Sequence, residues 1–174
     1  MPGMKIKIMN EMDVEVAHGE AGILYVQGPQ VFTRYWGKSP EEIAKEFKDG
    51  WFNTGDIATY NSAVDSIKII GRASVDIIKT AGYKVSALDV EREILGHPSV
   101  AEVAVVGVPN AVYGEVVGAV VGLRPDTSLT VEELLDFLKG KLAHYRMPRK
   151  VIFVSSIPRN AMQKVNKKEL KKLF

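Results

Sequence analysis

Two valine-rich runs, residues 100–108 and 116–123, set the strongest limit on the fold. β-Branched side chains fit a pleated strand better than a helix, and a run with so few polar positions needs cover on both faces. The runs are therefore predicted to be strands with other elements packed over them, with Tyr113-Gly114-Glu115 in their connection. The flanking sequence supplies that cover. Ser86 is placed to cap a helix with apolar positions Leu88, Val90, Ile94 and Leu95, and Gly96 stops it before Pro98. Thr130, with Glu133 three residues on, caps a second helix whose stripe is Val131, Leu134, Leu135, Leu138 and Leu142. Residues 151–154 predict a third strand, 157–165 a loop, and 166–174 a terminal helix with Leu170 and Leu173 on one side. This half is predicted to be a small α+β layer structure with a three-stranded sheet.

The first part of the chain has a different rhythm. Lys5-Ile6-Lys7-Ile8 alternates at period two, and Ile23-Leu24-Tyr25-Val26 follows a Gly19-Glu20 turn signal, which predicts short antiparallel strands. Ser39-Pro40-Glu41-Glu42 offers a cap, a first-turn proline and a Glu three after the cap, so a short helix is expected to about Lys48. Residues 66–71 are expected to be extended, and the change of pattern puts a domain boundary near Arg72.

Composition excludes several function classes. With a net charge of only +2, the chain has no overall field of the kind that draws nucleic acid. No cysteine is present, which removes disulfides and thiolate chemistry. The apolar runs are too short to span a bilayer, and residues 1–10 lack the features of a targeting segment, so none is expected. His18, His97 and His144 have no metal-ligand spacing and are expected at surfaces or helix ends. Lys167, Lys168, Lys171 and Lys172 are expected to form a solvated basic face.

Three segments occur in an order that carries more information than any one of them. They are Gly50-Trp51-Phe52-Asn53-Thr54-Gly55-Asp56, then Gly71-Arg72 through Asp76 to Gly82-Tyr83-Lys84-Val85, then Pro158-Arg159-Asn160 through Lys164. With Glu20, Gly28-Pro29 and Tyr35-Trp36 upstream, this pattern resembles the adenylate-forming superfamily of acyl-CoA synthetases, luciferases and adenylation domains. The wording of residues 72–80 and of Pro158-Arg159-Asn160 is similar to mitochondrial synthetases of malonyl- or methylmalonyl-CoA.

The resemblance implies that residues 1–71 are the end of a large AMP-binding domain, 72–76 a hinge and 77–174 the C-terminal lid domain. It implies a two-step reaction, in which a carboxylate and ATP give an acyl-adenylate and the CoA thiol then displaces AMP. Lys164 matches the lysine that steadies negative charge in the first step, Asp56 the acceptor of ribose hydroxyls, and Arg72 the arginine beside the nucleotide. The hinge is expected within Ala73, Ser74 and Val75, and Lys79, Gly82 and Tyr83 belong to a loop that faces the CoA channel. Lys79 and Lys84 are also open to a plain surface role. In the family a glycine usually precedes the catalytic lysine. Here Gln163 stands there, and a positive φ at that site would strain it by about 1 kcal/mol.

No phosphate loop occurs anywhere in the sequence. The missing large domain is therefore an expected partner, together with a small carboxylic acid and CoA. ATP or AMP, CoA and magnesium are expected ligands of the complete enzyme, with none held tightly by this chain. The isolated chain is expected to be inactive. Two alternatives stand beside this: a dead truncated product that acts only by docking, and a fragment of a domain that loads a carrier protein. The family relation implies a mitochondrial location, with the cytoplasm as the alternative.

Overall fold

The alternating Lys-Ile pairs open the chain as β1 (Lys5–Met9), which pairs antiparallel with β2 (Gly22–Gln27). The computed structural model describes residues 3–174 and divides into two units, one ending at Ala73 and one beginning at Ser74. In the first unit a capping box at Ser39 and Glu42 starts α1 (Pro40–Ala44). The helix stops earlier than the expected Lys48. Phe47 is drawn instead into β3 (Phe47–Lys48), opposite Phe52 of β4 (Trp51–Asn61), and into an aromatic cluster with Phe32, so tertiary packing overrides local helix signals. β2 lies along one edge of β4, and β3 and β5 (Ser66–Arg72) share the other. Ile8, Leu24 and Ala58 form the small buried core of this unit.

In the second unit β6 (Ile77–Thr80) and β7 (Tyr83–Ser86) form a hairpin that leads into α2 (Ala87–Leu95). The valine runs form β8 (Val100–Asn110) and β9 (Gly114–Leu123), antiparallel and longer than predicted because Tyr113 and its neighbours make a tight connection. Next comes α3 (Val131–Leu138), and then β10 (Lys150–Val154), parallel to β9. The expected three-stranded sheet is present with β9 at its centre, and the hairpin joins the first residue of β9 through Thr80 and Gly114 to give five strands.

Both faces of the valine strands are covered. Val105, Val117, Ala119 and Val121 pack with Val90 and Ile94 of α2 and with Leu134 and Leu138 of α3. Ala104, Val106, Val108, Val116 and Val120 pack with Ile157 and Leu170 on the other side. Each buried valine contributes about 1.5–3 kcal/mol relative to exposure, so these strands dominate the stability of the unit. Helix details differ from expectation. α2 buries Ala87, Val90 and Ile94 but leaves Leu88 and Leu95 exposed, because its contact stripe is narrower than the apolar pattern. The terminal helix is only α4 (Lys167–Leu170) and a 3-10 turn after it, which turns Leu173 outward. Phe174 packs into the core in its place, in a seat that Gly118 opens.

Candidate active site

In the first unit, strand pairing alone places the two residues predicted to meet the nucleotide. Asp56 of β4 lies opposite Arg72 of β5, and Arg72 Nε pairs with Asp56 Oδ1 at 3.0 Å. The approach to Asp56 is fixed by its own motif. Thr54 Oγ1 donates to the Leu24 carbonyl at 2.9 Å and accepts from the Asp56 N–H at 3.1 Å. Asn53 Oδ1 accepts from the Gly55 N–H at 2.9 Å. Gly55 has φ +73 and sits beside the Arg72 guanidinium, so glycine serves both the backbone and the clearance. Trp51 and Phe52 are partly buried, Phe52 within the aromatic cluster and Trp51 under the Lys7 ammonium at 4.5 Å. Together these bonds hold an acceptor carboxylate and a donor fork side by side.

In the second unit, Lys164 lies on an exposed loop, as expected. Asn160 winds that loop: its Oδ1 accepts from the N–H groups of Met162 (2.9 Å) and Lys164 (3.0 Å), and its own N–H donates to the Lys164 carbonyl at 2.9 Å. Among the described residues of its unit, the Lys164 ammonium has no ion-pair partner. Gln163 has φ +60, the left-handed region in which a side chain is strained by about 1 kcal/mol.

Of the hinge candidates, Ala73 ends the first unit and donates its N–H to the Gly55 carbonyl at 2.9 Å, while Ser74 and Val75 lie in the turn between β5 and β6. The tract from Lys79 to Tyr83, expected as a loop, is a hairpin with a two-residue turn. Ala81 (φ +48) and Gly82 (φ +82) make that turn, so Lys79 and Tyr83 sit on strands. Strand pairing with Lys84 and docking onto β9 account for the difference. Tyr83 stacks on Tyr145 at 4.2 Å.

Residues 89–164 match the AMP-binding enzyme C-terminal domain family, and the match ends on Lys164. The mitochondrial malonate–CoA ligase ACSF3 of Mus musculus is 50% identical over 167 residues, covering 94% of this chain. ATP-bound MatB from Rhodopseudomonas palustris matches 99% of the chain with TM-score 0.88 and 38% identity. The chain belongs to the adenylate-forming superfamily. Another superfamily structure, o-succinylbenzoate CoA synthetase (MenE) from Bacillus subtilis in complex with its acyl-adenylate intermediate, matches 98% with TM-score 0.90 and 30% identity. The chain spans 28% of the mouse ligase and 34% of each solved chain.

Beyond the superfamily motifs, the structure reveals ion pairs that the sequence did not. Lys167 is not part of a solvated face, because its side chain is only 14% exposed and its ammonium bridges Asp76 (2.6 Å) and Glu91 (2.8 Å). Glu91 Oε1 also accepts from the Val105 N–H at 2.8 Å, so the triad ties the turn after the hinge candidates to α2, β8 and the C-terminal helix. Lys171 pairs with Glu115 at 3.2 Å, and the other oxygen of Glu115 accepts from the Lys79 N–H at 2.9 Å. Gly107 leaves room for that carboxylate, which a Cβ would meet at 2.5 Å. Glu115 thus fastens the hairpin, whereas the sequence offered Gly114-Glu115 only as a turn. Lys168 and Lys172 are exposed, as expected. A lysine spaced three and four from other lysines looks like a surface stripe, and only the long-range partners distinguish Lys167 and Lys171.

His97 packs edge-on against Phe137 and accepts from the Ser99 N–H, and His18 packs against Tyr60. Among the described residues no group of three or more His, Asp or Glu could hold a metal ion, and no helix is long and apolar enough to cross a membrane.

Proposed function

We propose that this chain is the C-terminal part of an acyl-CoA synthetase that joins a small dicarboxylic acid, malonate or methylmalonate, to CoA at the expense of ATP. The observation that carries the proposal is Lys164: an exposed ammonium without an ion-pair partner among the described residues of its unit, held on an Asn160-wound loop at the end of the family match. In the first step a carboxylate oxygen forms a bond to the α-phosphorus while the bond to pyrophosphate breaks. Negative charge gathers on the oxygens around phosphorus, and the Lys164 ammonium offsets it without proton transfer. A lysine suits the task because a compact charge on a flexible stem can follow oxygens that move.

Asp56 accepts hydrogen bonds from the ribose hydroxyls, and Arg72 steadies Asp56 while turning guanidinium donors toward the nucleotide. The pivot lies within Ala73, Ser74 and Val75, so residues up to 71 form the end of the large domain and those from 77 the lid. After the acyl-adenylate forms the lid turns, Lys164 leaves, and the hairpin of Lys79, Gly82 and Tyr83 borders the path of the CoA arm. ATP and CoA are substrates of the completed enzyme, and none of the described residues is assigned to magnesium. The malonate preference and a mitochondrial location rest on relatives described as mitochondrial malonate–CoA ligases.

The test is to join the chain to the large domain of a malonate-activating relative and to measure AMP release with a panel of acids. Malonate or methylmalonate should lead the panel, and Lys164→Ala should suppress pyrophosphate exchange. The chain by itself should turn over no ATP. Ordinary turnover by the isolated chain, or equal exchange rates with and without Lys164, would refute the proposal.

A further inference from the structure

The loop that carries Lys164 is fastened by one side chain that reaches in two directions. Arg159 Nη2 pairs with Glu102 Oε2 at 2.8 Å, and Arg159 Nη1 donates to the Gln163 carbonyl at 3.2 Å. That carbonyl belongs to the peptide that joins Gln163 to Lys164. Glu102 itself is planted on β8, where its second oxygen accepts from the Ile157 N–H at 2.6 Å, just before the loop begins. Opposite it on β9, Gly122 leaves the space it needs, since a Cβ there would lie 2.7 Å from Glu102 Cγ. A backbone bridge between Arg159 and Val165 closes the loop behind the lysine.

The pair between Glu102 and Arg159 is half-exposed, with side chains 26% and 41% accessible, and surface pairs of this kind contribute little to stability. Its geometry serves a different end. One carboxylate on a rigid strand fixes both the entry of the loop and the guanidinium that holds its exit. The rotation of the Lys164 peptide is restrained although its ammonium is left free of ion pairs within the described residues of the unit. An arginine is needed because a lysine ammonium could not span both acceptors in one plane.

We infer that Arg159 and Glu102 are positioning residues for Lys164 in the adenylation step, touching no substrate and acting by fixing the peptide that presents the ammonium. This rests on the assignment of Lys164 to that step.

The test uses the completed synthetase and separates the two half-reactions. Arg159→Ala should lower kcat for pyrophosphate exchange about tenfold, because small misplacement of a catalytic group is costly, and leave KM for ATP within about twofold. Thioester formation from a supplied acyl-adenylate should be unchanged. Glu102→Gln should reproduce the loss, Arg159→Lys should recover only part of the rate, and Arg159→Ala should add nothing in the Lys164→Ala background. A loss shared by both half-reactions, or a further loss beyond Lys164→Ala, would overturn the inference. In the chain itself, hydrogen exchange at the Met162 and Lys164 amides should accelerate in Arg159→Ala while the β8 amides stay protected. Unchanged exchange at those amides would also overturn it. If Lys164→Ala leaves pyrophosphate exchange intact, the assignment of Lys164 is what has failed, and that result is distinct from failure of the Arg159 variants.

Discussion

Asp56 and Lys164 are held by opposite strategies. Asp56 is part of a strand, and the ladder between β4 and β5 sets its position opposite Arg72 to within the tolerance of backbone hydrogen bonds. Lys164 is on a loop whose shape comes from side chains, with Asn160 winding it, Arg159 bracing its exit and Lys167 anchoring the C-terminal helix beyond it. Under the proposed function, the difference suits a binding group that stays with its ligand and a charge that must arrive and depart. It also shows in the cores: the small cluster of Ile8, Leu24 and Ala58 supports the first unit, while two larger clusters cover both faces of the valine strands in the second.

Kinetics should separate the two groups most strongly. In the completed synthetase, Lys164→Ala should lower pyrophosphate exchange by about a hundredfold to a thousandfold, and should leave thioester formation from supplied adenylate unaffected. Asp56→Ala should weaken both half-reactions, since the nucleotide is present in each. If both substitutions struck both half-reactions equally, the division between fixed and delivered groups would be lost.

Next in size is the ion triad. Lys167→Ala takes from Asp76 and Glu91 the cation they share and should cost about 3 kcal/mol in the second unit, read from urea denaturation by circular dichroism. Both tryptophans, Trp36 and Trp51, lie in the first unit, so fluorescence follows that unit separately. Its midpoint should fall at lower urea, in keeping with its smaller core, and should not move in Lys167→Ala.

A pH titration sharpens the role of Glu102. Arg159, and then the Ile157 N–H, hold its carboxyl below the usual range, so folding is favoured by its ionised form. This stabilisation is complete above the ordinary glutamate pKa of about 4.3 and is lost as pH falls through the lowered folded value. The acid limb of the second unit's stability should flatten in Glu102→Gln. The smallest effect is expected at Gln163. Replacing it by glycine removes a strained φ of +60 but adds freedom to the unfolded chain, for a net gain of under about 1 kcal/mol by urea midpoint. A loss would show that the Gln163 side chain contributes something the backbone angle does not explain.

Much of this molecule was legible from local signals. Period-two alternation gave β1, capping boxes gave the starts of α1 and α3, and β-branched runs gave β8 and β9, because each reflects a preference that neighbouring residues settle among themselves. The motif order also brought out Asp56, Arg72 and Lys164 as candidates. Helix ends were less readable, since Phe47 left its helix for an aromatic cluster formed with residues on either side.

Which charges are paired depends on the folded chain and has no local signal. Lys167 and Lys168 are neighbours of the same type, yet one is enclosed between Asp76 and Glu91, 91 residues from the first of these, and the other faces water. Glu102 and Arg159 are likewise joined across 57 residues by the return of the chain along the sheet. A charge carries no local mark of its partner, because the attraction depends on distance in space and on how much water is excluded, and folding sets both.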